Sequence, residues 1–238
     1  MSFSEKLRRA TERNGSLLCV GLDPEPSRID GDVGAFLQAV IEATADVACC
    51  YKPNLAFFEA LGRDASATLA RTLEAIPRDM PVIADAKRGD IGNTAAAYAR
   101  ALFDVWGFDA MTANAYGGYD SVEPFINRAD RGVFIWCRSS NPGAADLQDL
   151  PVIDAGGERR PLYEVVAEKA RAWNSAGNVG VVAPATFPTE AARLRALCPD
   201  MLFLVPGVGA QGGGAEAAVR AVSDAAGAGF IVNVSRQV

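Results

Sequence analysis

The sequence predicts a (β/α)8 TIM barrel, an α/β fold in which parallel strands alternate with helices. Three observations carry this. Eight short apolar runs, rich in β-branched residues, recur along the chain, and stretches with helical spacing separate most of them. At 238 residues the chain has a length that such barrels commonly occupy as one unit, so residues 1–238 read as a single barrel domain. Nothing resembling Gly-x-Gly-x-x-Gly follows the first run, which leaves a doubly wound open sheet as the weaker alternative.

In chain order, Met1 to Asn14 is polar and helical in pattern, without the apolar centre of a secretory leader. The strand runs are Leu17–Leu22, Val47–Tyr51, Val82–Ala84, Ala110–Thr112, Val133–Cys137, Val179–Val182, Leu202–Val205 and Phe230–Val234. Helical spacing marks Phe36–Val47, Ala65–Ile76, Asn93–Trp106, Leu162–Trp173, Glu190–Leu197 and Ala215–Ala226. Residues 138–161, rich in Gly, Pro, Asp and Arg, break the rhythm as a long connection after the fifth strand. Such a connection is either a functional lid or a plain surface excursion. The chain stops four residues after the eighth strand, so the final covering helix of a barrel is absent and a further tail is expected.

The formal net charge of −6 argues against broad affinity for nucleic acid, so basic residues that bind phosphate must act locally. No apolar stretch approaches the ~20 residues of a membrane span. The five cysteines sit mostly inside apolar runs without metal-ligand spacing, which reads as buried thiols in a reducing cytoplasm. Histidine is absent, so acid–base chemistry falls to Lys, Asp, Glu or Tyr.

In a barrel the reactive groups gather at the carboxyl ends of the strands. The first strand ends in Gly21-Leu22-Asp23-Pro24, the second in Tyr51-Lys52-Pro53-Asn54 and the third in Asp85-Ala86-Lys87-Arg88-Gly89-Asp90-Ile91. Strand alternation sends Asp85 and Lys87 to one side, and Asp90 follows at the turn. Folding alone has no reason to gather such charges, because desolvation and repulsion oppose it. The expected array is Lys52, Asp85, Lys87 and Asp90, with Asp23 at its rim. Opposite charges ~4 Å apart attract by about 4 kcal/mol at an effective dielectric of ~20, which holds Lys87 as an ammonium poised to donate a proton. A substrate carboxylate beside Asp85 would meet a like charge, and losing carbon dioxide would relieve it.

The seventh strand runs into Pro206-Gly207-Val208-Gly209-Ala210-Gln211-Gly212-Gly213-Gly214 and the eighth closes with Asn233-Val234-Ser235-Arg236. Loops after these two strands often form a phosphate site, where glycine amides and a guanidinium suit an anion. Arg138-Ser139-Ser140-Asn141-Pro142-Gly143-Ala144 follows the fifth strand. It reads equally as a turn held by Ser and Asn side chains or as a partner for a heterocycle.

Together these segments resemble the orotidine 5′-monophosphate decarboxylase family over nearly the whole chain, in its longer bacterial and archaeal-type branch. The D-x-K-x-x-D motif is shared with sugar-phosphate relatives; joined to the Pro206–Gly213 loop and Arg236, it is far more specific. The resemblance implies a cytoplasmic enzyme of pyrimidine synthesis that forms uridine monophosphate (UMP) with no metal or organic cofactor. It implies that Lys87 protonates carbon 6 of the pyrimidine, with Asp85 against the leaving carboxylate and Lys52 and Asp90 completing the network. Asp23 and Lys52 contact the ribose, Ser140 and Gln211 the base, and Gln211, Gly212, Gly213 and Arg236 the phosphate. It also implies a homodimer in which Asp90, Ile91 and Thr94 reach the neighbouring subunit's site.

One departure is Ala183-Pro184-Ala185-Thr186, where the family more often has glycine before Ala-Thr. The nearest rival, a sugar-phosphate decarboxylase or aldolase, uses magnesium and an acidic ligand near the second strand, where this chain carries Lys52. A non-catalytic nucleotide-binding barrel would have no need of the charged array.

Overall fold

A computed structural model describes residues 1–153, 156–208, 214–236 and 238. The N-terminal helix α1 (Phe3–Asn14) starts where the Ser2 hydroxyl accepts the Glu5 amide and stops at Gly15, whose φ of 58° suits a residue without a β-carbon. There follow β1 (Leu18–Leu22), α2 (Val33–Thr44), β2 (Cys50–Pro53), α3 (Leu55–Glu59), α4 (Ala65–Ala75) and β3 (Ile83–Arg88). The middle of the chain gives α5 (Gly92–Ala99), β4 (Ala110–Ala113), α6 (Glu123–Ile126) and β5 (Gly132–Trp136). A two-stranded hairpin of β6 (Pro151–Ile153) and β7 (Arg159–Pro161) precedes α7 (Leu162–Trp173). The last elements are β8 (Val179–Val182), α8 (Pro188–Leu197), β9 (Phe203–Val205), α9 (Ala215–Val222) and β10 (Phe230–Val234).

Eight strands pair in parallel in the order β2-β1-β10-β9-β8-β5-β4-β3. Bridges from Tyr51 to Val82 and from Asn54 to Asp85 join the two ends of that order, giving the barrel that the alternation predicts. Side-chain alternation splits the apolar residues into two bodies. Val20, Leu22, Tyr51, Ala84, Met111, Ile135 and Val181 face outward and pack under the helices. Cys19, Cys50, Ile83, Ala110, Phe134, Val182, Leu204 and Ile231 fill the interior, one from each strand. Phe3 and Leu7 of α1 cap that interior from below, Phe3 meeting Phe134 edge-on at 5.9 Å. Lys6 pins the same helix to Asp109 at 2.8 Å.

Differences from the predicted elements lie mainly at boundaries. The second strand starts at Cys50, because Val47 and Ala48 complete the turn ending α2, and the Asn14 amide binds the Ala45 and Ala48 carbonyls. The third strand runs on to Arg88 and so contains the charged residues that follow the apolar run. Helix α5 gives way to a π-helical stretch at Arg100–Val105. The connection over 138–161 holds a 3₁₀ turn at Pro142–Asp146 and the β6–β7 hairpin. It is anchored where Arg138, almost wholly buried, meets Asp149 at 2.8 and 2.9 Å and stacks over the Phe187 ring at 4.4 Å. All five cysteines are buried and free, as their apolar settings suggest. Among the described residues no helix follows β10, and no helix is long and apolar enough to cross a membrane.

Candidate active site

One pleat above the apolar interior layer, the inward positions turn polar. Adding two residues to Cys50, Ile83, Ala110, Phe134 and Ile231 gives Lys52, Asp85, Thr112, Trp136 and Asn233. The parallel sheet therefore delivers an acid, a base and a hydroxyl to one level at the carboxyl end of the barrel.

Asp85 is the centre. Lys52 Nζ donates to its Oδ2 at 2.9 Å, while Lys87 Nζ at 2.6 Å and Thr112 Oγ1 at 2.9 Å donate to its Oδ1. Burial alone would raise the Asp85 pKa, but Lys52 and Lys87 outweigh it and hold the carboxyl well below the usual carboxylate range. Burial would likewise lower the Lys52 pKa, and Asp85, with Asp23 behind it, reverses this and pushes it above the usual lysine range. The two lysines differ in access: the Lys52 side chain is 4% exposed and the Lys87 side chain 40%. Lys52 is thus a fixed counter-charge, while the Lys87 ammonium faces the mouth, 5.9 Å from the centre of the Trp136 ring.

Lys87 reaches Asp85 by a backbone irregularity. The β3–β4 register shifts between Ala84 and Arg88, and Lys87 takes a φ of 47°. Left-handed backbone costs a non-glycine residue roughly 1–2 kcal/mol, and such strain collects at functional sites. Gly89 then passes over the Asn114 carbonyl so closely that a β-carbon would lie 2.0 Å from that oxygen.

Asp90 does not join the array within one chain. It is exposed, and its Oδ1 accepts the amide of Ile91 at 2.7 Å; among the described residues it forms no ion pair. Within one chain the expected array is therefore three residues, and Asp85 is the only carboxylate partner of Lys87 among the described residues. The reason is the turn after β3, which carries Asp90 outward to the start of α5. Ile91, the N-cap of α5, is 71% exposed, and Thr94 is half-buried one turn on.

Asp23, after β1, has a buried Oδ1 with no hydrogen-bond partner among the described residues. It lines a cleft of about 510 Å³ together with Gly21, Asn54, Ser235 and Arg236. Gly21 permits this approach, since a β-carbon there would lie 2.0 Å from Ser235 Oγ. Ser140 is half-buried after β5, its carbonyl accepting from Thr186 Oγ1 at 3.3 Å. Gln211, Gly212 and Gly213 lie outside the described residues, between Val208 and the N-cap of α9 at Gly214. Among the described residues, no cluster of three acidic or cysteine side chains is suited to a metal ion. Sequence reasoning passed over Thr112, which closes one apolar run, and Trp136, which lies within another; reading every inward position near the strand ends would have found both.

Comparison with known proteins gives the family. The family model described as orotidine 5′-phosphate decarboxylase / HUMPS family matches residues 16–238. A protein of Thermomicrobium roseum named orotidine 5′-phosphate decarboxylase is 51% identical, across all of this chain and 86% of its own length. Its namesake in Roseiflexus castenholzii is 52% identical, over all of this chain and 89% of its length. The solved structure of Leishmania donovani OMP decarboxylase superposes with a TM-score of 0.90 at 44% identity, covering 99% of this chain and 90% of that one. With the barrel and near-complete sequence coverage in agreement, this chain belongs to the orotidine 5′-phosphate decarboxylase / HUMPS family.

Proposed function

We propose that this chain decarboxylates orotidine 5′-monophosphate to UMP, with Lys87 as the proton donor. The observation that carries the reading is the Lys52–Asp85–Lys87 array, in which one buried carboxylate takes both ammonium groups. A substrate carboxylate seated beside Asp85 is repelled in the ground state. As the bond from carbon 6 to the carboxylate breaks, carbon dioxide departs and the electron pair stays on carbon 6. The Lys87 N–H bond then breaks, its proton closes the new C–H bond, and the neutral amine recovers a proton from water. The fixed ammonium groups stabilise that developing negative charge without reorganising.

Around this centre, the unpartnered Asp23 oxygen and Lys52 are suited to ribose hydroxyls, and Arg236, on the same cleft as Asp23, to the phosphate. Ser140 and Gln211 would meet the base, and Gly212 and Gly213 the phosphate. Binding energy from the phosphate, remote from carbon 6, can raise the chemical rate if it drives closure and desolvation. A homodimer supplies Asp90, Ile91 and Thr94 to the neighbouring site. This accords with the exposure of Asp90 and Ile91 and with the exposed Tyr116 on the adjoining loop. The enzyme works in the cytoplasm, without a metal, because a cation beside Lys52 and Lys87 would be repelled.

The test is absorbance-monitored turnover of orotidine monophosphate with and without a chelator. Equal turnover in both supports the reading. No turnover overturns it, and activity abolished by the chelator favours the magnesium-dependent sugar-phosphate branch. Titration with UMP alongside separates catalysis from mere binding.

A further inference from the structure

The register shift in β3 leaves the Ala86 and Lys87 amides without ladder partners on β4. Both donate instead to one side-chain atom, Thr112 Oγ1, at 3.1 and 3.0 Å. With two N–H groups filling the oxygen's lone pairs, the hydroxyl hydrogen has one place left to go, and Asp85 Oδ1 stands there at 2.9 Å. Thr112 is 2% exposed, so water does not compete. A single hydroxyl thus ties the carboxylate at the centre of the array to the left-handed backbone that aims the Lys87 ammonium.

We propose that Thr112 is a positioning residue for the decarboxylation: its hydroxyl fixes the Asp85 carboxylate and the Lys87 backbone in one geometry, so that proton donor and repelling carboxylate stay in register. It acts through those two residues and touches no substrate. The inference rests on the function proposed above. Its effect belongs to the chemical step, because ground-state binding through ribose and phosphate uses other groups.

The experiment compares wild type with Thr112→Val, which keeps shape and loses the hydroxyl, and Thr112→Ser, which keeps the hydroxyl and loses the methyl. The expected result is a kcat lower by roughly 10- to 100-fold in T112V, the worth of one hydrogen bond to a charged group. KM and the dissociation constant of UMP should change by less than about threefold, and T112S should restore kcat to within about threefold of wild type. A structural role alone would lower thermal stability and the amount of folded protein while leaving kcat per folded molecule unchanged. If T112V does not accumulate in folded form, Thr112→Ala makes the same deletion with less crowding of the two amides. Wild-type kcat in the folded deletion variant overturns the inference, and so does a loss that serine does not repair. In either case an active wild type leaves the parent reading standing, whereas a wild type inert toward orotidine monophosphate removes both.

Discussion

The Lys87 ammonium lies 2.6 Å from Asp85 Oδ1, two residues back on the same strand, while its own backbone holds a φ of 47°. A regular pleat places such residues on one side but about 7 Å apart along the strand, each following its own direction. The left-handed turn closes that distance, so the donor's aim is built into the main chain rather than left to a flexible side chain.

The Lys52–Asp85 pair is expected to matter for stability as well as chemistry. Asp85→Ala leaves the Lys52 ammonium, at 3% exposure, without its ion-pair partner. We expect a loss of about 3–5 kcal/mol in denaturant unfolding, as when one partner of a buried pair is removed. Replacing both residues with apolar ones of similar volume should recover part of that loss.

The same pair sets a pH dependence. The Asp85 pKa is lowered by folding, so its contribution is complete above the ordinary carboxylate value of ~3.9 and disappears as pH falls toward the depressed folded value. The Lys52 pKa is raised by folding, so its contribution is complete below ~10.4 and disappears as pH climbs toward the elevated folded value. Unfolding free energy measured against pH should therefore show a plateau from this pair between those limits and fall outside them, and a Lys52→Met/Asp85→Leu variant should lose both of these edges.

Arg236 is exposed at the edge of the cleft that Asp23 lines. Arg236→Ala is expected to weaken UMP by roughly 30-fold or more, the worth of charge-assisted bonds to a phosphate, and to leave uridine nearly unaffected. Calorimetric titration of both ligands checks this; equal losses would remove the phosphate assignment.

The proposed homodimer, with which the exposure of Asp90 and Ile91 accords, predicts that one chain completes another's site. Asp90→Ala and Lys87→Ala homodimers should each be inactive, and mixing them after mild dissociation should restore turnover, because one site of the hybrid then holds both native residues. Ile91→Glu should shift sedimentation toward monomer and reduce activity in parallel. Mixed dimers that stay inactive would count against the shared site.

Much of this was legible in the chain because parallel strands are buried on both faces and appear as continuous apolar runs, such as Val179–Val182 and Phe203–Val205. Charged residues immediately after such runs, Asp85 and Lys87 above all, stand out for the same reason. Local geometry that depends on partners was less legible. The register shift at Ala84–Arg88 comes from the pairing with β4, which no local pattern specifies, so Thr112 looked like the end of an apolar run. The outward path of Asp90 depends on Gly89 crossing the Asn114 carbonyl, and Pro151–Ile153 pairs with Arg159–Pro161 in strands too short to show an alternation.

Lys87 is proposed to give its proton to the carbon that loses carbon dioxide. The most direct measurement is turnover of orotidine monophosphate by Lys87→Ala set beside its affinity for UMP. Turnover is expected to be abolished with product binding largely intact, since Asp23, Lys52 and Arg236 remain. Turnover like that of the wild type would contradict it.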